Sequence, residues 1–400
     1  MAVDQQVETV VVGGGQAGLA VGYHLKSSGR QFVVLDASER VGDSWRKRWP
    51  SLRLYSPAKL DGLPGMPFPA PRHSFPTGAE MADYLEAYAT TFELPVESGV
   101  RVDRLERNGD GYVVHAGDRR FHAQNVVVAT GVFQHDRPVV PGLAADLDPS
   151  ITQLHSADYR GPEQLRPGPV LVVGAAHSGS DIAYEVARAG HPTILSGRDT
   201  GQLRVDIESR KARLGFVVLR FVWTRVLTVS TPIGRKAKSE IRTHGGPLLR
   251  VKRADLEAAG VERVLERTVA AEDGKPVLAG GRALEVANVI WCTGFRSDYS
   301  WIRFPLPLED DGYPEQRHGV VPSLPGLYFV GLPFLHSFAS MLVLGAGRDG
   351  KRVAKHLASR SLASRGSADR DEQTLVWNGT VADVRRSPEP GETMHVTPEA

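Results

Sequence analysis

The chain has 400 residues, 41% of them hydrophobic and 24% charged, with 48 Lys plus Arg against 46 Asp plus Glu. These proportions exclude a collagen, a disordered polymer and a membrane bundle, and the net charge of +2 argues against an obligate nucleic-acid binder. The one cysteine, Cys292, excludes an internal disulfide, a paired-thiol redox centre and a cysteine-based zinc site, and points to a reducing compartment.

Residues 1–8 are polar and acidic and lead into a strand, with no basic stretch ahead of an apolar one, so no secretory signal is expected. A soluble, cytoplasmic protein is the expectation. Thr9 to Val12 reads as a buried strand, Gly13-Gly14-Gly15-Gln16-Ala17-Gly18 as a glycine loop, and Leu19 to Ser28 as a helix stopped by Gly29. Phe32 to Leu35 is the next strand, ending on Asp36. Asn125 to Val128 carries a later apolar strand into Thr130-Gly131. The opening grammar then returns. Leu171 to Val173 precedes Gly174-Ala175-Ala176-His177-Ser178-Gly179, a helix runs to Gly190, and Thr193 to Leu195 forms the following strand. A second strand into Thr-Gly ends at Thr293-Gly294, and the two Thr-Gly ends are read as crossings between modules, close to the cofactors. Leu327 to Val330 is the last strand expected, followed by a helix over 347–359.

Two strand–glycine loop–helix–strand units mean two dinucleotide-binding modules. In the first, Gly13 allows the tight turn, Gly15 allows backbone to approach a pyrophosphate, and Gly18 allows close helix–strand packing. The phosphates are expected at the helix N-terminus, where unpaired N–H groups favour anions. Asp36 can accept hydrogen bonds from a ribose diol and disfavours a 2′-phosphate, so this module should hold FAD or NAD. In the second, Ala176 replaces the middle glycine and Gly197 stands where the first has Asp36, with Arg198 next. A guanidinium without a neighbouring acid at that place suits the 2′-phosphate of NADPH. The competing reading is a decayed module that binds nothing.

The expected fold is therefore α/β, with two Rossmann-like domains and the NADPH domain inserted into the FAD domain. Boundaries are expected at 1–160 for the first part of the FAD domain, 161–300 for the NADPH domain, 301–362 for the returning FAD segment and 363–400 for a partly disordered tail. Residues 201–253 stand apart: they hold 13 Lys or Arg against three acids, a net of +10, while the remainder of the chain sums to −8. Leu214 to Val229 within them is largely apolar and is expected to be helical. This segment could roof the pocket and form a homo-oligomer interface, lie on an anionic membrane surface, or be a solvated face over a buried helix. The first reading fits a two-cofactor scheme best. His24, His73, His191 and His336 have no metal-ligand spacing, so no metal is expected, and a buried Cys292 is expected to be inert.

Taken together, residues 7–360 resemble the class B flavin monooxygenases, in particular the short YUCCA-type and related bacterial flavoproteins. Both glycine loops carry the resemblance, with Gly42-Asp43-Ser44-Trp45-Arg46, Leu52-Arg53-Leu54-Tyr55-Ser56-Pro57 and the closing Gly345-Ala346-Gly347-Arg348-Asp349. His155 and Tyr159 match the second half of the family fingerprint, whereas Pro149 and Ile151 stand where its first half has Phe and Gly. The pair is spaced like one helical turn. The resemblance implies that NADPH reduces FAD and that a flavin C4a-peroxide oxygenates a small, rather apolar molecule at sulfur, nitrogen or a carbonyl carbon, with O2 as co-substrate. It adds Trp45, Val102 and Thr130 to the FAD contacts and leaves Gly174, Ser178, Gly179 and Arg198 to NADPH. The alternatives are a flavin reductase or oxidase that passes electrons to a quinone or partner protein, and a non-catalytic NADPH-sensing flavoprotein.

Overall fold

A computed structural model describes residues 3–131, 137–203, 205–243 and 245–360. The chain divides into two compact units, Met1–Ala354 and Lys355–Ala400. The described part of the second unit, 355–360, is helical, and the tail expected over 363–400 lies outside the described residues.

The first unit opens with β1 (Val3–Val12), α1 (Gln16–Ser27), β2 (Phe32–Leu35), the short α2 (Asp43–Arg46), α3 (Gly78–Thr91) and β3 (Val96–Glu97). Strands β4 (Arg104–Asn108), β5 (Gly111–Ala116) and β6 (Arg119–Val128) complete this stretch. Next come β7 (Thr152–His155), β8 (Val170–Val173), α4 (His177–Arg188), β9 (Thr193–Ser196), α5 (Arg210–Phe221), α6 (Pro232–Thr243) and α7 (Arg253–Ala258). Then follow β10 (Glu262–Val264), β11 (Thr268–Glu272), β12 (Lys275–Leu278), β13 (Asn288–Trp291) and β14 (Leu327–Phe329). Residues 343–354 are helical as well, beginning earlier than the expected residue 347.

The fold is α/β. One sheet runs β3-β2-β1-β6-β5-β4, with β14 also on β6, and the other runs β10-β9-β8-β13-β7. The chain leaves the first sheet after β6, builds the second, and returns to the first with β14. Strands of the first sheet that flank the glycine loop are parallel and in register: Val10 lies beside Val33 and Val126, and Val12 beside Leu35 and Val128. In the second sheet Val172 lies beside Leu195 and Ile290 in the same manner. Parallel strands covered on both faces need apolar side chains on both, which is why these segments read as continuous Val, Ile and Leu. Val10, Val11, Val170, Val172 and Ile290 are all fully buried.

Three elements differ from expectation. β1 starts at Val3 because its polar first half pairs with Arg119 to Ala123 along the backbone and through an Arg120–Asp4 ion pair at 2.7 Å, while its side chains stay largely in water. The apolar run 214–229 is not one helix: α5 ends at Phe221, a wider turn with π-type pairing occupies Val222–Val226, and Thr228 bridges to Ser337. His155 and Tyr159 do not share a helix either. His155 ends β7, and its carbonyl accepts the Tyr159 N–H at 3.1 Å across a turn. Tyr159 is fully buried and its hydroxyl donates to Glu185 of α4, a packing role.

Helix α3 was not legible beforehand, although Thr77 and Glu80 form a reciprocal cap at its start. It holds the proline-rich loop after residue 62. The Tyr84 hydroxyl accepts from Leu63 N–H and donates to the Met66 carbonyl, and Tyr88 donates to the Pro64 carbonyl.

Candidate functional site

The first glycine loop joins β1 to α1 under the end of β6. Gly13 has φ +113° and its N–H donates to the Leu35 carbonyl; a Cβ there would lie 2.6 Å from the Ala129 carbonyl oxygen. A Cβ on Gly18 would overlap the Gly13 carbonyl, so the helix can approach the strand only with glycine at that place. Gly15 differs from both: nothing lies within 4 Å of where its Cβ would be. Open space in front of backbone N–H groups at a helix N-terminus is a cradle for an anion.

Asp36 closes one side of this cradle. Its Oδ2 accepts the Gly14 N–H at 2.5 Å and its Oδ1 accepts the Ser38 N–H at 2.7 Å, so the carboxylate is held with lone pairs to spare. Gln16 begins α1 and accepts a long hydrogen bond, 3.4 Å, from the Trp45 indole N–H. Val102 follows the segment 97–100, which hydrogen-bonds along Asp36 and Ser38, and packs half-buried on the first sheet's core. Thr130 and Gly131 leave β6 beside the loop, and Ala17 faces Gly331, whose Cβ would come within 3.0 Å of it. Apart from Val102, which packs on the sheet's core, the predicted residues of the first module are thus gathered around one loop.

The second loop repeats the construction. Gly174 has φ +110° and donates to the Ser196 carbonyl, and a Cβ on Gly179 would overlap the Gly174 carbonyl. Cys292 stands where Ala129 stands in the first module, each with its Cβ 3.4 Å from the position of a Cβ on the matching helix glycine. A Cβ on Gly197 would approach the Ala175 N–H to 2.8 Å, the place filled by the Asp36 side chain in the first module. Arg198 follows on the exposed end of β9, and Ser178 is half-buried in the first turn of α4. Beside Arg198, Asp199 is neutralised by Arg253 at 2.5 Å, with Arg263 at 3.9 Å.

The front of the second loop is not open. A Cβ on Gly245 would stand 2.5 Å from the Ala176 methyl, and the His177 ring meets the Pro247 carbonyl at 2.7 Å. Residues 245–247 therefore lie where Gly15 has empty space. The dinucleotide framework fits a nucleotide, but its phosphates would have to displace that loop.

The second Thr-Gly strand end meets residues 137–139, which follow the first one in the chain. Thr293 Oγ1 donates to the Val139 carbonyl, Val139 N–H donates to Gly294 at 3.0 Å, and Arg296 N–H donates to Arg137 at 2.9 Å. Pro138 and Phe295 form an antiparallel bridge, so the outgoing and returning crossings are sewn to each other, with the Arg48 guanidinium 5.4 Å from the centre of the Phe295 ring.

Sequence reasoning missed two buried acids reached by consecutive residues. The Tyr55 hydroxyl donates to Asp181 Oδ2 at 2.9 Å, Arg250 reaches the same oxygen at 3.4 Å, and the Tyr55 ring lies 4.9 Å from that of His177. Ser56 donates to Asp61 Oδ1 at 2.5 Å, while Asp61 Oδ2 is buried with no partner among the described residues. Burial raises the carboxyls of both, Asp61 to about 7 against the Ser56 hydrogen bond, and Asp181 despite Arg250. Tyr55 thereby connects the first module's loop segment to helix α4 of the second, while Ser56 ties that segment to Asp61 a few residues on. The signal available beforehand was slight: each acid is isolated among Leu, Ile, Ala and Gly.

A family profile for pyridine nucleotide-disulphide oxidoreductases matches residues 10–222, more than half of the chain. The chain belongs to this family. Within it, the chain is 35% identical over 86% of its length, and 96% of the relative's, to a protein of Geobacillus kaustophilus named uncharacterized oxidoreductase CzcO-like. It is 27% identical to the probable indole-3-pyruvate monooxygenase YUCCA3 of Arabidopsis thaliana, over 88% of this chain and 86% of that one. Among solved structures, a flavin-containing monooxygenase from Stenotrophomonas maltophilia superposes with TM-score 0.72 at 28% identity, covering 89% of this chain and 99% of the other. The resemblance to flavin monooxygenases is borne out, and this member of the pyridine nucleotide-disulphide oxidoreductases is a flavin-type oxidoreductase. An internal paired-thiol centre, which the family's name suggests, cannot form in this sequence. Cys292 is the only cysteine, and burial pushes its thiol up.

Proposed function

We propose that the protein is an NADPH- and O2-dependent flavin monooxygenase that oxygenates a small, rather apolar molecule at sulfur, nitrogen or a carbonyl carbon. The observation that carries this reading is the doubled glycine loop, with an acid closing the first copy and an exposed arginine beside the second. In this assignment Gly13, Gly14, Gly15, Gln16, Ala17 and Gly18 cradle the FAD pyrophosphate and Asp36 accepts from its ribose. Trp45, Val102, Thr130 and Gly131 flank the same cofactor. Gly174, Ser178, Gly179 and Arg198 hold NADPH, with Thr293 and Gly294 at its edge. FAD, when bound, supplies the redox and oxygen chemistry.

The chain's own residues do the rest. Asp36 orients a ribose, α1 and α4 present backbone N–H groups to phosphates, and Tyr55 fixes the loop segment 52–57 against Asp181. The balance is one NADPH, one proton and one O2 consumed, with one oxygen atom placed in the substrate and the other released as water.

Labelled O2 tests the proposal. With a thioether, amine or ketone probe, NADPH oxidation should be matched by incorporation of one labelled oxygen. Recovery of all consumed O2 as hydrogen peroxide across such a panel would instead assign a reductase or oxidase. Absence of flavin reduction at saturating NADPH would assign a sensor or a dead second module.

A further inference from the structure

The structure accounts for part of the +10 charge of residues 201–253 and leaves several other cations exposed. Arg242 is buried, with its side chain 1% exposed, and pairs with Glu309 at 2.8 Å and Asp311 at 3.1 Å; Lys238 joins Glu309 at 2.5 Å. Arg250 is committed to Asp181 and Arg253 to Asp199. Arg213, Arg220, Arg225, Arg235 and Lys236, by contrast, are exposed.

Of these cations, Arg213 and Arg220 share helix α5 with apolar side chains that also face water. Helix α5 turns Ala212, Phe216 and Leu219 into a small core with Leu60, Phe75 and Ile207. At 3.6 residues per turn the opposite side carries Arg213, Val217, Arg220 and Phe221, with Val218 beside them. Val217 and Val218 are each 63% exposed, Phe221 is 58% exposed, and Ile233 at the start of α6 is 62% exposed. α5 contains no acid. An apolar stripe rimmed by arginines is amphipathic a second time, away from its own core.

We propose that this outer face of α5 docks on an anionic lipid surface, the valines and Phe221 entering the interfacial region and the arginines meeting lipid phosphates. Charge complementarity selects this occupant. A second copy would bring the same cationic patch onto itself across a two-fold axis, and α5 contributes no acid to neutralise Arg213 and Arg220. The inference does not depend on which cofactors the glycine loops hold.

The test uses the full-length, flavin-loaded protein and sedimentation with phosphatidylcholine vesicles, with and without phosphatidylglycerol. The protein should pellet with the anionic vesicles and lose binding as salt is raised. Replacing Arg213 and Arg220 together by Gln should weaken partitioning about fivefold for each residue. Val217→Ser with Phe221→Ser should abolish binding, and flavin content and thermal midpoint should stay unchanged because these side chains are exposed. No pelleting at low salt, or equal pelleting with neutral vesicles, overturns the proposal. So does a wild-type dimer by light scattering that the Val217 and Phe221 changes convert to monomer, since the face then belongs to a second copy.

Discussion

Replacing Gly15 by alanine separates the folding role of a glycine from its binding role. Gly15 sits at φ −77° and ψ −176°, a conformation any residue adopts, and the added methyl meets nothing within 4 Å. The apoprotein should therefore change by less than about 1 kcal/mol, the range set by opposing cap and chain-entropy effects. That moves the thermal midpoint by no more than about 2–4 °C. The methyl does, however, occupy the space into which a pyrophosphate must come. Overpacking of about 1–3 kcal/mol predicts FAD binding about 5- to 150-fold weaker. Fluorescence titration of apoprotein with FAD measures the second quantity and apoprotein melting the first. Gly18→Ala is the contrasting case, because its methyl overlaps the Gly13 carbonyl and must lower apoprotein stability itself. FAD affinity of Gly15→Ala within about twofold of wild type would refute the cradle assignment. The second module already carries this methyl: Ala176 has φ −88° and ψ −163°, with Gly245 packed on it.

Three other outcomes are expected. Arg198→Ala should lower the preference for NADPH over NADH about 10- to 100-fold, as loss of a charge-assisted contact implies; an unchanged ratio of kcat/KM values would remove Arg198 from the phosphate site. Asp61, held at about 7 in the folded chain against 3.8 for an ordinary aspartate, keeps a proton that the unfolded chain releases. Its contribution to stability is complete in acid and is lost as pH rises towards 7, about 4 kcal/mol at most. Urea midpoints across this range should fall for wild type relative to Asp61→Asn, and a constant offset between the two would contradict the burial argument. Tyr55→Phe removes a hydrogen bond to a buried carboxylate and should cost about 1.5–3 kcal/mol of unfolding free energy with flavin content retained. A loss near zero would show that the Tyr55 hydroxyl is not an anchor.

What could be read in advance was local. Each glycine loop lies between a strand and a helix adjacent in sequence, so Gly13, Gly18 and Asp36 announce themselves through spacing, and so do Gly174 and Gly179. Tyr55, Asp181 and Arg250 come from three stretches that only the packing of α4 against the loop segment 52–57 brings together. Nothing in the residues around any one of them encodes the other two. The extent of α5 was misjudged for a related reason. Apolar residues continue past Phe221, but backbone pairing of Leu227 and Val229 with 336–338 competes with the helix there and prevails. The closure of the Ala176 notch by 245–247 was equally hidden, since two glycines and a proline read as an ordinary turn.

The pairing of Val139 with Thr293 and Gly294 makes the connection between the two sheets a strap of two backbones instead of two separate tethers. Such a strap resists stretching and sliding, because either would break its internal hydrogen bonds, but it yields to torsion. Turning of one sheet against the other would use a pivot near Pro138 and Phe295 and would have to release Tyr55 from Asp181. Displacement grows with distance from that pivot. A pair of spin labels beside it would keep its separation during turnover, whereas a pair far out on the two sheets would report the full swing.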